Sequence, residues 1–477
     1  MHTFKRPGFA MTQAAAPVWC SNAVGRNHRP TNDGRILMRI QTLASALALA
    51  AAMALPQSSA SAQMLPNVTM VFEPFHANGI YKIGERAGWT IHSLLGAGYT
   101  RFNYELKENN LTVLKSGTVD LSSGQATIET SLDHPGMLYL RLSFIGAPDP
   151  AGPVTPQELD KMTVGAAVAP EQIKPPSPKP ADFDSFWAGK LAALKQTPIN
   201  PRLEPTASER EGVELSTVTL DSLNSQVHGY LATPKSGGKH PALVIYQYAG
   251  VYALQKSTVT DRAAEGWLAF NVDSHDMPPD QATAPRDYAG IGNSSRETSY
   301  FLNMYLRDTR ALDYIQSRPD WDGKTIVIWG MSMGGQQSFA TAGLNPDRVT
   351  AMIVNVPAGA DFSADLHGSK RGYPNWTLED PQVVETARYF DAMNFAPAIK
   401  AKTSVAFGFI DTTSPPYGIL AAFNQIQAPK EAVPMAQSDH NHITPQQEGA
   451  YYKRLKQVLD SLRTTGNFQP DTSWASH

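Results

Sequence analysis

Gly330-Met331-Ser332-Met333-Gly334 sets one serine between two glycines, each two residues away. The run before it, Thr325 to Trp329 (TIVIW), is apolar and β-branched like a buried strand. The run after it, GGQQSFATAG, has the small residues of a closely packed helix. A strand-to-helix turn of this kind is so tight that a side chain at either glycine would collide with its neighbours. The turn lifts the serine hydroxyl out of the sheet and leaves the Met333 amide at a helix start, aimed at developing negative charge. That is the equipment of acyl transfer through a serine nucleophile; the plainer reading of the same five residues is an ordinary helix cap.

A serine hydroxyl attacks only when a base takes its proton, and the base needs an orienting carboxylate. On a sheet carrying this turn the chain order is serine, acid, histidine. Asp411 follows the apolar run TSVAFGF (403 to 409), where such an acid belongs, although it could equally form an Asx turn before TTSPP. Beyond it lie His440 and His442 in SDHNHITP, together with the terminal His477. His440 and His442 are both candidates for the base. An H-x-H pair beside Asp439 could instead ligate a metal, but no other histidine-rich cluster accompanies it, and neither metal nor organic cofactor is expected. His275, in VDSHDMPPD, precedes the serine and reads as a supporting or loop-packing residue.

The elements needed to position these groups are legible. Asp182 can cap a helix whose Phe183, Phe186, Trp187, Leu191 and Leu194 share a face. VELSTVTL, VHGYLATP, ALVIY, GWLAFNV, TIVIW, AMIVNV, TSVAFGF and KEAVPM read as strands, with helical periodicity between several of them and from about 446 to 463. This alternation predicts a doubly wound α/β sheet over 182–465, with its site at the carboxyl ends of the strands and a flexible tail at 466–477. Residues 63–165 alternate in polarity between turn signals such as KENN, SSGQ and DHPG, and predict a small all-β sandwich. The proline-rich stretch 166–181 reads as an extended linker.

A chain of 477 residues has room for both domains. Its net charge of −3 gives no electrostatic case for nucleic acid. From Met38 a cation, a short apolar stretch and Ala60-Ser61-Ala62 form a secretory signal pattern, so 1–62 is expected to be a leader whose true start is Met38. The apolar stretch is too short for a permanent membrane span, and a periplasmic or extracellular location follows. The single cysteine, Cys20, lies in that leader. The mature part therefore has no thiol for a disulfide, nucleophile or metal ligand.

With ADFDSFWAGKL, HGYLATP, YLRDTRALDYIQSRPDWDGKTIVIWGMSMGG, FIDTTSPP and the closing histidine in view, residues 181 to 465 resemble the acetylxylan esterase and cephalosporin-C deacetylase family, carbohydrate esterase family seven. The resemblance implies an α/β-hydrolase fold and removal of acetyl groups from acetylated sugars and small esters. It implies Ser332 as nucleophile, Asp411 as acid and His440, by its spacing, as base. It also implies a backbone oxyanion donor at Tyr248 in YQYAG beside that of Met333. Two departures stand out: YQY occupies the place of the family's HGY, and Ser-Met-Gly that of Ser-Gln-Gly. In RGYPNW (371 to 376), Tyr373 and Trp376 could stack on a sugar or simply pack a cap over the site. The expected activity is that of an exported serine esterase acting on acetylated oligo- or polysaccharide, with a homo-oligomer left open. The competing readings are a hydrolase of feruloyl or peptide bonds, and a polysaccharide-binding protein with an inert hydrolase sheet.

Overall fold

The structure, a computed structural model, describes residues 70–95, 98–146, 162–441 and 445–475. The expected leader with Met38 and Cys20, and the alternative base His442, lie outside the described residues.

Among the described residues, eight strands form the N-terminal part: β1 (Met70–Pro74), β2 (Ile80–Tyr81), β3 (Ala87–Ser93), β4 (Arg101–Glu108), β5 (Thr112–Asp120), β6 (Gln125–Thr130), β7 (Gly136–Phe144) and β8 (Met162–Val168). They make two sheets, β1-β3-β6 and β2-β8-β7-β4-β5. Alternate residues of both sheets, Phe72, Trp89 and Ile91 from one and Phe102, Leu106, Leu138, Leu140 and Leu142 from the other, share one buried core.

The second part is a nine-stranded sheet. Its strands are β9 (Arg202–Thr206), β10 (Val213–Ser222), β11 (Ser225–Pro234), β12 (His240–Tyr246), β13 (Leu268–Val272), β14 (Trp321–Met331), β15 (Ala351–Asn355), β16 (Lys402–Gly408) and β17 (Lys430–Met435). Their order is β17-β16-β15-β14-β12-β13-β11-β10-β9. Pairings from β13 through β12 to β17 are parallel, while β9, β10 and β11 join antiparallel. The described helices are α1 (Phe183–Gln196), α2 (Ser257–Ala264), α3 (Tyr300–Ser317), α4 (Met333–Leu344), α5 (Pro381–Ala387), α6 (Ala392–Phe395), α7 (Pro416–Gln425) and α8 (Pro445–Thr465).

Successive strand residues serve opposite faces, which is why the central strands are apolar throughout. Val244, Phe270, Ile328 and Val405 pack with Leu312, Ile315 and Phe339 of α3 and α4. Leu243, Ala269, Val327 and Ala406 pack with Val259 of α2 and Leu455, Val458, Leu459 and Leu462 of α8. The chain runs from β12 out to β13 and returns past β12 to β14. The carboxyl ends of β12 and β14 therefore flank the switch in winding where open α/β sheets keep their sites.

Several expectations need correction. Asp182 stands at the start of α1, but its carboxylate makes no cap; it takes Arg296 at 2.7 Å and the Tyr389 hydroxyl instead. A charged donor outcompetes a backbone N–H for a carboxylate. The sandwich does not end at 165, because β8 continues to Val168 in register with β7. Nor is the stretch after it a free spacer: Ile173 is buried in the α/β core, and Asn424 Nδ2 donates to the carbonyls of Pro170 and Ile173. The tail is held too. Phe468 is buried, Arg454 donates to the Gln469 carbonyl, and the Asp471 amide donates to the buried Glu431 carboxylate.

The sandwich and the α/β sheet belong to one compact unit. Gly165 N–H donates to Ala436 O, Gln437 Nε2 to Phe72 O, and Lys370 N–H to Asn109 O. The sandwich thus touches both the loop that carries His440 and the cap segment. No described helix is long and apolar enough to cross a membrane.

Candidate active site

β14 ends at Met331 and α4 begins at Met333, so one residue makes the turn. Ser332 does so at φ 55, ψ −120, a conformation that costs a non-glycine residue about 1–3 kcal/mol. Backbone bonds hold it there. Ser332 N–H donates to Asn355 O at 3.0 Å, and the Ser332 carbonyl accepts from the amides of Gly335, Gln336 and Ala358 at 2.9, 3.1 and 2.9 Å. The glycines are required by contact: a Cβ on Gly330 would lie 2.2 Å from the Gly334 carbonyl carbon, and one on Gly334 2.4 Å from Tyr246 O.

Asp411 follows β16 and His440 follows β17, and the parallel pairing of these strands brings both loops to the serine's end of the sheet. Asp411 Oδ1 accepts from the amides of Thr413 and Ser414, each at 2.8 Å, leaving Oδ2 for His440 Nδ1 at 2.8 Å. Nδ1–H donates to the carboxylate, so Nε2 is left as the acceptor facing Ser332 Oγ at 2.9 Å. All three side chains are buried, with Asp411 only 1% exposed. Attack by Oγ can pass its proton to Nε2, and the carboxylate stabilises the imidazolium that results.

Tyr246 lies opposite Gly330 in the register of β12 and β14, which places Tyr248 and Met333 just beyond neighbouring strand ends. The Met333 N–H, in the first turn of α4, has no acceptor in its own helix. Tyr248 stacks its exposed ring on Tyr252, and its carbonyl accepts from the Tyr252 hydroxyl. The side chain of Met333 is fully buried, with its sulfur 3.4 Å from the Tyr288 hydroxyl. It supports the site from beneath and forms no part of its surface.

The cap residues divide. Trp376 does not reach the site. It is 3% exposed, stacks on Phe301 and donates Nε1–H to Ala289 O, so its aromatic surface is spent in the core. Tyr373 comes closer, its hydroxyl 2.9 Å from that of Tyr288 and 3.1 Å from the Met333 sulfur. His275 is wholly buried between the Tyr300 hydroxyl and Gly250 O, and burial pulls its pKa down to about 4. A neutral ring then donates Nε2–H to Gly250 in the loop after β12. Two residues earlier, burial pushes the Asp273 carboxyl up to about 8.

Sequence reading passed over Gln247, Ser274 and Gln337, all buried beside the turn. The available signal was the pair Gln336-Gln337, polar side chains in a helix otherwise built of small residues. Among the described residues no group of three or more His, Cys, Asp or Glu side chains is placed to hold a metal ion.

Residues 170–458 match the acetyl xylan esterase family (AXE1). The acetyl esterase Axe7A of Xylanibacter ruminicola is 30% identical over 389 residues, covering 77% of this chain and 85% of that protein. Among solved structures, the acetyl xylan esterase from Paenibacillus sp. R4 superposes with TM-score 0.53 at 27% identity, covering 60% of this chain and 98% of that one. Acetyl xylan esterase 1 from a Thermoanaerobacterium species gives TM-score 0.50 at 20% identity over 60% of this chain and 97% of its own, a likeness of fold.

Proposed function

This chain belongs to the acetyl xylan esterase family, a carboxylesterase family with the α/β-hydrolase fold, and from that premise we propose that it is an exported deacetylase of acetylated oligo- or polysaccharide. The observation that carries the mechanism is the buried His440 bridging Ser332 Oγ and the Asp411 carboxylate. Ser332 Oγ attacks the acetyl carbonyl while His440 Nε2 takes the proton, and the amides of Met333 and Tyr248 receive the oxyanion. As the tetrahedral intermediate collapses, the same proton goes to the departing sugar oxygen. Water, deprotonated by His440, then releases acetate from the acyl-enzyme. Export rests on the signal pattern that starts at Met38.

Acetate release from acetylated xylan, acetylated xylo-oligosaccharides and p-nitrophenyl acetate, beside feruloyl esters, tests the substrate class. Acetyl esters are expected to be cut and bulky acyl groups refused. Ser332→Ala should lower turnover by about three orders of magnitude or more. Near-normal turnover in that variant removes the mechanism. A protein that stays in the cytoplasm with residues 1–62 intact removes export.

A further inference from the structure

The geometry points to Gln337 as a positioning residue of the oxyanion site, an inference that rests on the mechanism proposed above. Its side chain is fully buried one turn beyond the nucleophile. One Nε2 hydrogen reaches the Met333 carbonyl of its own helix at 3.2 Å, and Nε2 also lies 2.9 Å from the Gln247 carbonyl on the loop after β12. Its Oε1 accepts from the Ser274 hydroxyl at 3.0 Å, just past the end of β13. A single amide thus ties the helix that carries Met333 to the ends of two neighbouring strands.

The Gln247 carbonyl and the Tyr248 N–H are opposite ends of one planar peptide. A donor fixed on the carbonyl sets the rotation of that plane and therefore the direction of the N–H. It also polarises the peptide, so that the amide is a stronger donor. The other amide is treated alike: the peptide that carries the Met333 N–H has its carbonyl, that of Ser332, occupied by three backbone donors. Backbone geometry supplies those three bonds at the turn. At Tyr248 the loop has no helix of its own, and side chains supply the bond: Gln337 Nε2 at 2.9 Å and, at a longer 3.3 Å, the Ser274 hydroxyl. Gln247 is in turn held by its own amide, whose Oε1 accepts from Ser274 N–H at 2.9 Å and whose Nε2 donates to Tyr252 O. The side-chain hydrogen bonds of Gln337 go to Ser274, Gln247 and Met333 and to neither the nucleophile nor the base.

Gln337→Leu, close in volume and unable to donate, should lower kcat for p-nitrophenyl acetate about 10- to 100-fold, somewhat less than outright loss of an oxyanion donor. KM should stay within twofold, and the apparent pKa on the acidic limb of kcat/KM should not move, because His440 and Asp411 are untouched. Turnover within twofold of the parent in a folded variant overturns the inference. So does a fall in kcat with a displaced pKa, which would place Gln337 in the support of the triad. Should Gln337→Leu fail to fold, Gln337→Met, unbranched like glutamine and unable to donate, should lower kcat about 10- to 100-fold at unchanged KM, and unchanged kcat there is equally fatal. Ser332→Ala is run in parallel. If it remains active the mechanism itself fails; if it is dead while Gln337→Leu is normal, only the inference fails.

Discussion

Gly334→Ala tests whether the close approach of α4 to β12 sets the catalytic geometry. Alanine is the better helix former by up to about 1 kcal/mol, so helix propensity alone predicts a more stable protein. The new Cβ, however, would sit 2.4 Å from Tyr246 O and 3.1 Å from its carbonyl carbon, where ordinary contact begins at 3.4 Å. Relief requires α4 and the end of β12 to part by on the order of 1 Å, an overpacking that costs about 1–3 kcal/mol and outweighs the propensity gain. Gly334 adjoins Met333, and Tyr246 lies two residues before Tyr248, so the displacement falls on the two amides proposed above to receive the oxyanion. A misplacement of 1 Å costs roughly 100-fold in rate, or about 2.7 kcal/mol of transition-state stabilisation. Initial rates with p-nitrophenyl acetate and a thermal unfolding curve measure both effects. Gly343→Ala is the control: its Cβ would lie 2.6 Å from Phe395 O, an equal crowding at the far end of the same helix, and should lower the melting temperature while leaving kcat/KM near that of the parent. The reasoning is refuted if folded Gly334→Ala keeps kcat/KM within threefold of the parent, or if Gly343→Ala loses as much activity.

Trp376→Ala removes a buried ring and should cost about 3–5 kcal/mol of stability while KM for acetyl esters stays within twofold; a tenfold rise in KM, measured well below the melting temperature, would return Trp376 to the substrate surface. Gly165→Ala places a Cβ 2.5 Å from Phe409 Cβ and 2.9 Å from its carbonyl oxygen, two residues before Asp411, and should lower kcat about tenfold. Parental kcat in that variant would show that the sandwich gives the acid loop no support. The folded-state pKa of His275 is depressed to about 4 against an ordinary 6.5, so its contribution to stability is complete above pH 6.5 and disappears as the pH falls through 4, amounting to roughly 3 kcal/mol. Asp273, raised to about 8, acts in the opposite sense as the pH falls, so the His275 loss is read as a difference: urea unfolding at pH 7, 5.5 and 4 should show the parent losing stability relative to His275→Gln, and a parent-variant difference that does not change with pH assigns the titration to another group.

What could be read from the sequence follows the range of the forces involved. The turn at Ser332 is dictated within five residues by sterics, so its position and its two glycines were visible at once. Asp411 could be placed because it follows an apolar run that reads as a buried strand, and the base near residue 440 because it follows the next strand-like run, KEAVPM; parallel pairing brings such strand ends together. The choice between His440 and His442 was not visible from the residues alone, since the two stand two positions apart in SDHNHITP. Trp376 and Tyr373 show the opposite limit. Aromatic residues close to a proline carry the same signal whether they line a sugar site or fill a core, and only the arrival of Phe301 from α3 decides that Trp376 is core. The tail was misread for the same reason: Phe468 is one apolar residue in a polar stretch, and its burial depends on elements contributed by other parts of the chain.

Gln337 marks where local reading stops and where the departures from the family pattern meet. Its partners lie 90 residues away at Gln247 and 63 away at Ser274, so no periodicity within α4 could reveal them. Gln247 is the middle residue of the YQY that stands in place of HGY. A glycine there could donate nothing from a side chain, whereas Gln247 receives the Ser274 amide and donates to the Tyr252 carbonyl. Met333, in place of glutamine, offers only a thioether, a weak acceptor, to the Tyr288 hydroxyl. The polar anchoring absent at 333 is thus found four residues along, where a second glutamine faces the loop that the first one stiffens. The Gln337 amide bonds the backbone carbonyls at both positions, those of Met333 and Gln247. Restoring Gly at 247 alone would leave Ser274 N–H without its acceptor and the loop without its brace, so the exchange at 247 should be harmful unless its neighbours change with it.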